Sequence, residues 1–279
     1  MSEAEPNLHS ATVKGFGDEW TAFDQQDLAG EELQRAFDAY FRIFPWEALD
    51  PDAVGFDAGC GSGRWARLVA PRVARLHCVD ASADALRVAK RALEGHPNCI
   101  FYHASVGALP FEPESMDFGY SLGVLHHVPD TAAAISACVQ ALRPGAPLLL
   151  YLYYALDGRP WWYRELWRIS DRARHVVSRL PHGAKLALTL PVALGVYWPL
   201  ARVALIVERL GGPANRIPLA FYRRHSLYTM RTDAYDRFGT RLERRFTASQ
   251  VRELMIGAGL DDVRLSEEPP FWCAVGVRR

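Results

Sequence analysis

No two of the five cysteines (60, 78, 99, 138 and 273) stand at C-x-x-C spacing. That excludes a local redox pair, and the thiols sit mostly inside apolar runs, where each behaves as a small hydrophobe. A reduced, cytoplasmic protein is the reading this supports. The opening residues MSEAEPNLHS lack the basic and apolar regions of a signal peptide, so none is expected. Net charge is missing too. Lys plus Arg and Asp plus Glu total 32 each, which argues against a uniformly basic nucleic-acid binder. With 49% apolar and 11% aromatic residues in a chain of 279, disorder is excluded and one large or two modest domains are supported. Internal repeats and low-complexity tracts are absent.

The zero charge sums unlike parts. Residues 1–50 carry 3 basic and 11 acidic side chains and 51–154 carry 8 and 9, whereas 155–246 carry 17 and 7 and 247–279 carry 4 and 5. An acidic head and a basic middle segment therefore flank near-neutral blocks.

From residue 52 onward, short apolar runs alternate with helical patterns at βαβ spacing, which predicts an α/β fold on a parallel sheet. Strands are expected at 53–57, 74–80, 98–103, 117–122 and 147–154. Helices are expected at 62–70, at 82–93 with Ser82 as cap, and from Asp130 or Thr131 to the Arg143-Pro144-Gly145 stop. The alternation lapses over 155–246 and resumes with a capping box at Thr247–Gln250, a helix, and strands at 262–266 and 271–277. The chain thus reads as an N-terminal helical cap (1–50), a core (51–154 and 247–279) and a largely helical insertion or lid (155–246).

The glycine-rich turn Asp57-Ala-Gly-Cys-Gly-Ser-Gly63 lies between the first strand and helix, where backbone N–H groups can approach a ligand. A dinucleotide fingerprint needs G-x-G-x-x-G, but Arg64 stands at its third glycine, which disfavours a nicotinamide dehydrogenase. An acid two residues before G-x-G-x-G suits the ammonium of an amino acid joined to a nucleoside. Asp80, 21 residues after Gly59, is spaced to accept two ribose hydroxyls.

With Cys78-Val-Asp-Ala-Ser82, Ala108-Leu-Pro-Phe111, Met116 to Asp130 and Leu142-Arg-Pro-Gly145, this turn resembles class I S-adenosylmethionine-dependent methyltransferases of the small-molecule, type 11-like kind. The resemblance spans about 50–154 and resumes over 247–279. It implies a Rossmann-like three-layer sandwich on a mostly parallel seven-stranded sheet with an antiparallel last strand. It also implies S-adenosylmethionine as cofactor, S-adenosylhomocysteine as product, and no metal. Gly59, Gly61 and Gly63 would line the methionine part, Asp57 would orient its amino group, Asp80 would hold the ribose, and Ala81 would lie beside the adenine. Ser121 and Leu122 would approach the sulfonium. Many relatives carry Asp where this chain has Ser105, so the adenine contact rests on that hydroxyl and the Val106 N–H. A segment before the first strand often folds over the cofactor in such enzymes, which makes Trp20, or Phe16, a candidate cover.

Methyl transfer from a sulfonium needs no proton for its leaving group, so holding the acceptor in line is the main task. A hydroxyl or ammonium acceptor also needs a base, and His126 and His127, after the fourth strand, are the candidates. Adjacent histidines point to opposite sides and no nearby ligand set completes a zinc site. The expected acceptor is a small molecule, methylated at oxygen, of glycan-type, lipid-linked or natural-product chemistry; the basic insertion would suit an anionic one. Nucleic acid is a lesser candidate, its arginines being dispersed among apolar residues. A cofactor-binding module without catalysis is the alternative from another class. Residues 186–207 hold one charge, Arg202, over a length that could span a bilayer. Pro191, Pro199 and the central Tyr197-Trp198 weigh against spanning, so the working reading is a buried lid or homodimer helix, with peripheral membrane association as the alternative.

Overall fold

The computed structural model describes residues 7–25, 28 and 30–279. These divide into two compact units, one formed by residues up to 24, 34–157 and 242–279, the other by 25–33 and 158–241. Residues 25–33 join the second unit although no signal in the sequence separates them from the head.

In the first unit seven strands form one sheet: β1 (Val54–Ala58), β2 (Arg75–Asp80), β3 (Cys99–His103), β4 (Phe118–Leu122), β5 (Pro147–Tyr151), β6 (Leu260–Leu265) and β7 (Cys273–Arg278). Their order is β3-β2-β1-β4-β5-β7-β6. The pairs among β1 to β5 are parallel, while β7 runs antiparallel to both neighbours. This is the expected Rossmann-like sheet with an antiparallel last strand.

Helices cover both faces of the sheet. On one, α5 (Thr131–Ala141) and α10 (Ala248–Gly257) bury Ile135, Cys138, Val251 and Met255 against Phe56 and Leu148. On the other, α2 (Gly30–Tyr40), α3 (Ala66–Val69) and α4 (Ala83–Ala92) bury Phe37, Val69 and Leu86 against Leu76 and Phe118. Fully burying one such side chain is worth about 1.5–3 kcal/mol, so these two layers fix the sheet's faces. The capping box at Thr247 and Gln250 forms as expected, and Ser82 and Asp130 cap α4 and α5. The helix expected over 62–70 shortens to α3, because Gly61 and Gly63 hold positive φ and keep the chain in turns before it.

An additional helix, α1 (Ser10–Ala22), belongs to this unit and lies over the edge formed by the C-terminal ends of the parallel strands. Its approach is close: a Cβ on Gly17 would stand 2.6 Å from the Ser82 hydroxyl. Just before it, Asn7 exchanges two hydrogen bonds with the backbone of Asp130, at 2.6 and 2.8 Å.

The second unit is helical: α6 (Trp161–Val177), α7 (His182–Val192), α8 (Trp198–Arg209) and α9 (Leu227–Gly239). A π-turn at Ala193–Tyr197 joins α7 to α8 in one 28-residue rod, His182–Arg209. Its small core collects Ala193, Tyr197 and Ala201 of the rod with Met230 and Ala234 of α9. Glu32 accepts from the Ser226 N–H at 3.0 Å and the Thr229 hydroxyl at 2.7 Å, bracing the start of α9, which Ser226 caps. Of the lid or homodimer helix expected over 186–207, the single chain buries little: only 22% of the rod's most apolar window is buried within it. The side turned inward is the small and polar one, carrying Lys185, Thr189, Ala193, Tyr197, Ala201 and Ala204.

Candidate active site

The site lies in the first unit, on the turn that leaves β1. Gly59, Gly61 and Gly63 take φ of +87°, +54° and +77°, a region that costs a side-chain-bearing residue strain. Space is also restricted: a Cβ on Gly61 would fall 2.9 Å from the indole Nε1 of Trp20, and one on Gly59 would meet Val124 at 2.5 Å. Trp20 thus lies against the turn.

At the end of β2, Asp80 accepts from the Gly61 N–H at 2.9 Å through Oδ2 and from the Ser82 N–H at 2.8 Å through Oδ1. Capping of α4 falls to Ser82, whose hydroxyl accepts from the Ala85 N–H, so Asp80 is not spent as a helix cap. Each of its oxygens keeps a lone pair for a further donor. Burial raises its carboxyl above the ordinary range, while the two backbone N–H bonds and His103 work the other way.

Asp57 is 1% exposed, and its Oδ2 has no hydrogen-bond partner. Burial pushes its carboxyl well above the usual carboxylate range; Tyr120, its partner in the β1–β4 register, moderates the rise, and Asp80 adds to it. An unpaired buried carboxylate oxygen is costly, and an ammonium beside it would supply both a donor and a compensating charge. The residues therefore fit the amino-acid end of the expected cofactor.

The remaining candidates are arranged less uniformly. Ser105 accepts from the Gly107 N–H at 3.1 Å, a local turn bond, and Val106 is buried in the core on the α5 face. Ser121 is fully buried and donates to the Ala58 carbonyl at 2.6 Å, tying the ends of β4 and β1 together. Leu122 packs in the opposite core. The Ala81 carbonyl faces the His103 Nε2 at 2.9 Å.

His126 and His127 occupy the short turn after β4 and are both buried. The His126 ring lies against Tyr153, tilted by 32° with centroids 3.9 Å apart, and neither of its nitrogens has a partner. Burial holds it well below its ordinary pKa, with His127 and Arg245 adding to the effect, so the imidazole is neutral. His127 differs. Its Nδ1 lies 2.7 Å from the Leu242 carbonyl, which only accepts, so the proton sits on Nδ1 and Nε2 keeps its lone pair. That Nε2 has no partner, and the Phe16 ring lies 5.0 Å away.

Sequence reasoning missed Tyr151 and Tyr153 at the end of β5, whose rings lie 5.7 Å apart beside His126. The 147–154 run read as an almost wholly apolar strand of the kind buried on both faces, and nothing in it marked the tyrosines as edge residues. Cys60, Cys78 and Cys99, scattered in sequence, prove to be neighbours, and burial helps push the Cys60 thiol up to about 11. Among the described residues, no group of three or more His, Cys, Asp or Glu side chains could hold a metal.

A strand order of 3-2-1-4-5-7-6 with a glycine turn after β1 and an acid ending β2 defines the class I S-adenosylmethionine-dependent methyltransferases. Residues 56–150 match the family described as "Methyltransferase domain", and the chain carries a methyltransferase domain of this class. It is 38% identical over 92 residues to a ubiquinone biosynthesis O-methyltransferase of Paracidovorax citrulli, covering 32% of this chain and 39% of that protein. It is 31% identical over 106 residues to phosphoethanolamine N-methyltransferase 2 of Caenorhabditis elegans, covering 37% and 24%. The matched region thus spans well under half the length of these curated relatives. The fold also resembles Haemonchus contortus phosphoethanolamine N-methyltransferase 2, solved in complex with S-adenosyl-L-methionine, with a TM-score of 0.52 and 17% identity. That alignment covers 93% of this chain and 44% of the other.

Proposed function

We propose that this protein transfers a methyl group from S-adenosylmethionine to a small-molecule acceptor, at an oxygen of glycan-type, lipid-linked or natural-product chemistry. The observation that carries the reading is the buried Asp57 carboxylate, with Oδ2 unpaired, beneath a three-glycine turn covered by Trp20. In this reading Asp57 orients the cofactor's amino group, the turn's amides and glycines admit its carboxylate end, and Asp80 accepts from the ribose hydroxyls. Ala81, Ser105 and Val106 border the adenine, and Trp20 excludes water. When bound, the cofactor supplies an electrophilic methyl group on a sulfonium. His127, its tautomer set by the Leu242 carbonyl, takes the acceptor's hydroxyl proton at Nε2, a contribution of about 10²–10⁴-fold for such a base. His126, held neutral, accepts a hydrogen bond and does not relay charge. The 38% identity to an O-methyltransferase supports oxygen as the target.

Calorimetry with S-adenosylhomocysteine, followed by turnover of labelled S-adenosylmethionine against hydroxylated small molecules, tests this. Micromolar product binding with label transferred to oxygen is the expected result. No binding below millimolar would overturn the cofactor site, and binding without transfer to any acceptor would leave a cofactor-binding module.

A further inference from the structure

The helical unit wears its apolar residues outside. Along the His182–Arg209 rod the inward side carries Lys185, Thr189, Tyr197 and small alanines, while Leu194, Val196, Trp198, Val203 and Ile206 are exposed, as is Leu210 just past its end, by 81%. Helix α6 repeats the inversion. Its one buried residue is Arg174, whereas Trp161 is 72% exposed and Ile169 61%. A core helix of a globular protein has the opposite arrangement, and this many exposed large apolar residues on one rod mark an interaction site.

The chemistry beside that surface says what covers it. Arg202 stands four residues from both Trp198 and Ile206, on the same side of α8, and Arg209, seven residues further on, continues that side. Together with Arg223 and Arg224 they line a cavity of about 620 Å³ whose one carboxylate is Glu208. Glu208 pairs with Arg223 at 2.8 Å and Arg224 at 2.9 Å, which leaves Arg202 and Arg209 as the anion-binding excess, and the arginine fork matches phosphate oxygens. The Arg202 guanidinium also lies 5.7 Å from the Trp198 ring centre, a pairing of cation and indole suited to a headgroup boundary. Spanning is disfavoured, because the rod's inward side packs against α9 and against residues 220–224, which carry Arg223 and Arg224.

We propose that the helical unit docks on the surface of a bilayer containing anionic phospholipid. The outer face of His182–Arg209 lies in the headgroup boundary, and the arginine-lined cavity takes a lipid phosphate. A second copy of this chain would satisfy the apolar stripe but leave the arginines facing arginines, which is why lipid is the favoured occupant.

Flotation of the full chain with vesicles of phosphatidylcholine alone, and of phosphatidylcholine mixed with phosphatidylglycerol, tests this independently of methyl transfer. The chain should float at least tenfold better with the mixed vesicles, and added salt should weaken that binding. Val203→Glu with Ile206→Glu should abolish flotation on both. Arg202→Gln with Arg209→Gln should weaken binding to the mixed vesicles by roughly five- to twentyfold and leave the other unchanged. Thermal unfolding midpoints check that each variant is folded. Should the glutamate pair fail to fold, quenching of wild-type tryptophan emission by brominated lipid reads the same contact. Absence of wild-type flotation would overturn the proposal, as would retention on vesicles after an alkaline carbonate wash, which would indicate spanning. So would a dimer that the glutamate pair dissociates without vesicle binding, or inorganic phosphate binding without flotation, which would assign the cavity to a free phosphorylated molecule.

Discussion

Trp20 rests against Gly61 so closely that a methyl group on the glycine would fall 2.9 Å from the indole nitrogen. Gly61 also holds φ at +54° and gives its N–H to Asp80, so one residue joins the cover, the turn and the ribose acid. Gly61→Ala should therefore lower S-adenosylhomocysteine affinity at least tenfold, since the backbone strain alone costs about 1–2 kcal/mol. Adding Trp20→Ala should recover the part due to the clash but not the part due to φ. Calorimetry on the two single variants and the pair reads this as a coupling energy, and strict additivity would show that the contact carries none.

How much of this was legible depended on distance along the chain. The turn, Asp80 and the caps are short-range patterns, and each stands where its spacing placed it. Tyr151 and Tyr153 were not visible, because tyrosine inside an apolar strand reads as core. Nor could composition say which side of α6 faces in: Arg174 and Trp161 would fit either orientation until Thr240 and Asp171 supply the arginine's partners. Residues 25–33 escaped for a third reason, since Glu32 finds its partners 194 and 197 residues away.

The two acids at the site should respond differently to substitution. Asp80→Ala removes the acceptor of the Gly61 and Ser82 N–H groups, so S-adenosylhomocysteine affinity should fall at least tenfold and the fold should lose stability as well. Asp57 has its carboxyl raised by burial, so its favourable contribution is complete below the unfolded value of 3.8 and is lost as pH rises through the folded value. At pH 7 it is a liability. Asp57→Asn should thus raise the thermal midpoint at pH 7, by roughly 2–4 °C for each kcal/mol relieved in a chain of this size, while weakening cofactor binding. A lowered midpoint at pH 7 would contradict this assignment.

Arg174 is the polar anchor of the helical unit. Only 4% exposed, it pairs with Asp171 at 2.8 Å and donates to the Thr240 carbonyl at 2.9 Å, beside the end of α9. Arg174→Ala removes the donor to the Thr240 carbonyl but leaves Asp171 with Arg237 at 3.6 Å and His175 at 3.5 Å, and should cost about 1–3 kcal/mol, the usual loss when a buried acceptor is stranded. Hydrogen exchange should report it as lost protection in α6 and α9. Unchanged protection there would mean that the helices hold without the arginine.

His126 sets the pH limit on the acid side. Its folded pKa is depressed by burial, so between the folded value and 6.5 the unfolded chain binds a proton that the native chain does not. Stability rises with pH across that window, is fully present above about 6.5, and is lost as pH falls toward the folded value. His126→Gln removes the titration and should flatten the thermal midpoint between pH 5 and 6.5 relative to wild type. The same substitution separates the two histidines in catalysis. His126 is already neutral, so the pH profile of kcat/KM should keep its shape when it is replaced, with only the height reduced. His127→Ala should instead slow turnover by about 10²-fold or more, leaving S-adenosylhomocysteine affinity nearly unchanged. A larger loss of turnover in His126→Gln than in His127→Ala would reverse their roles.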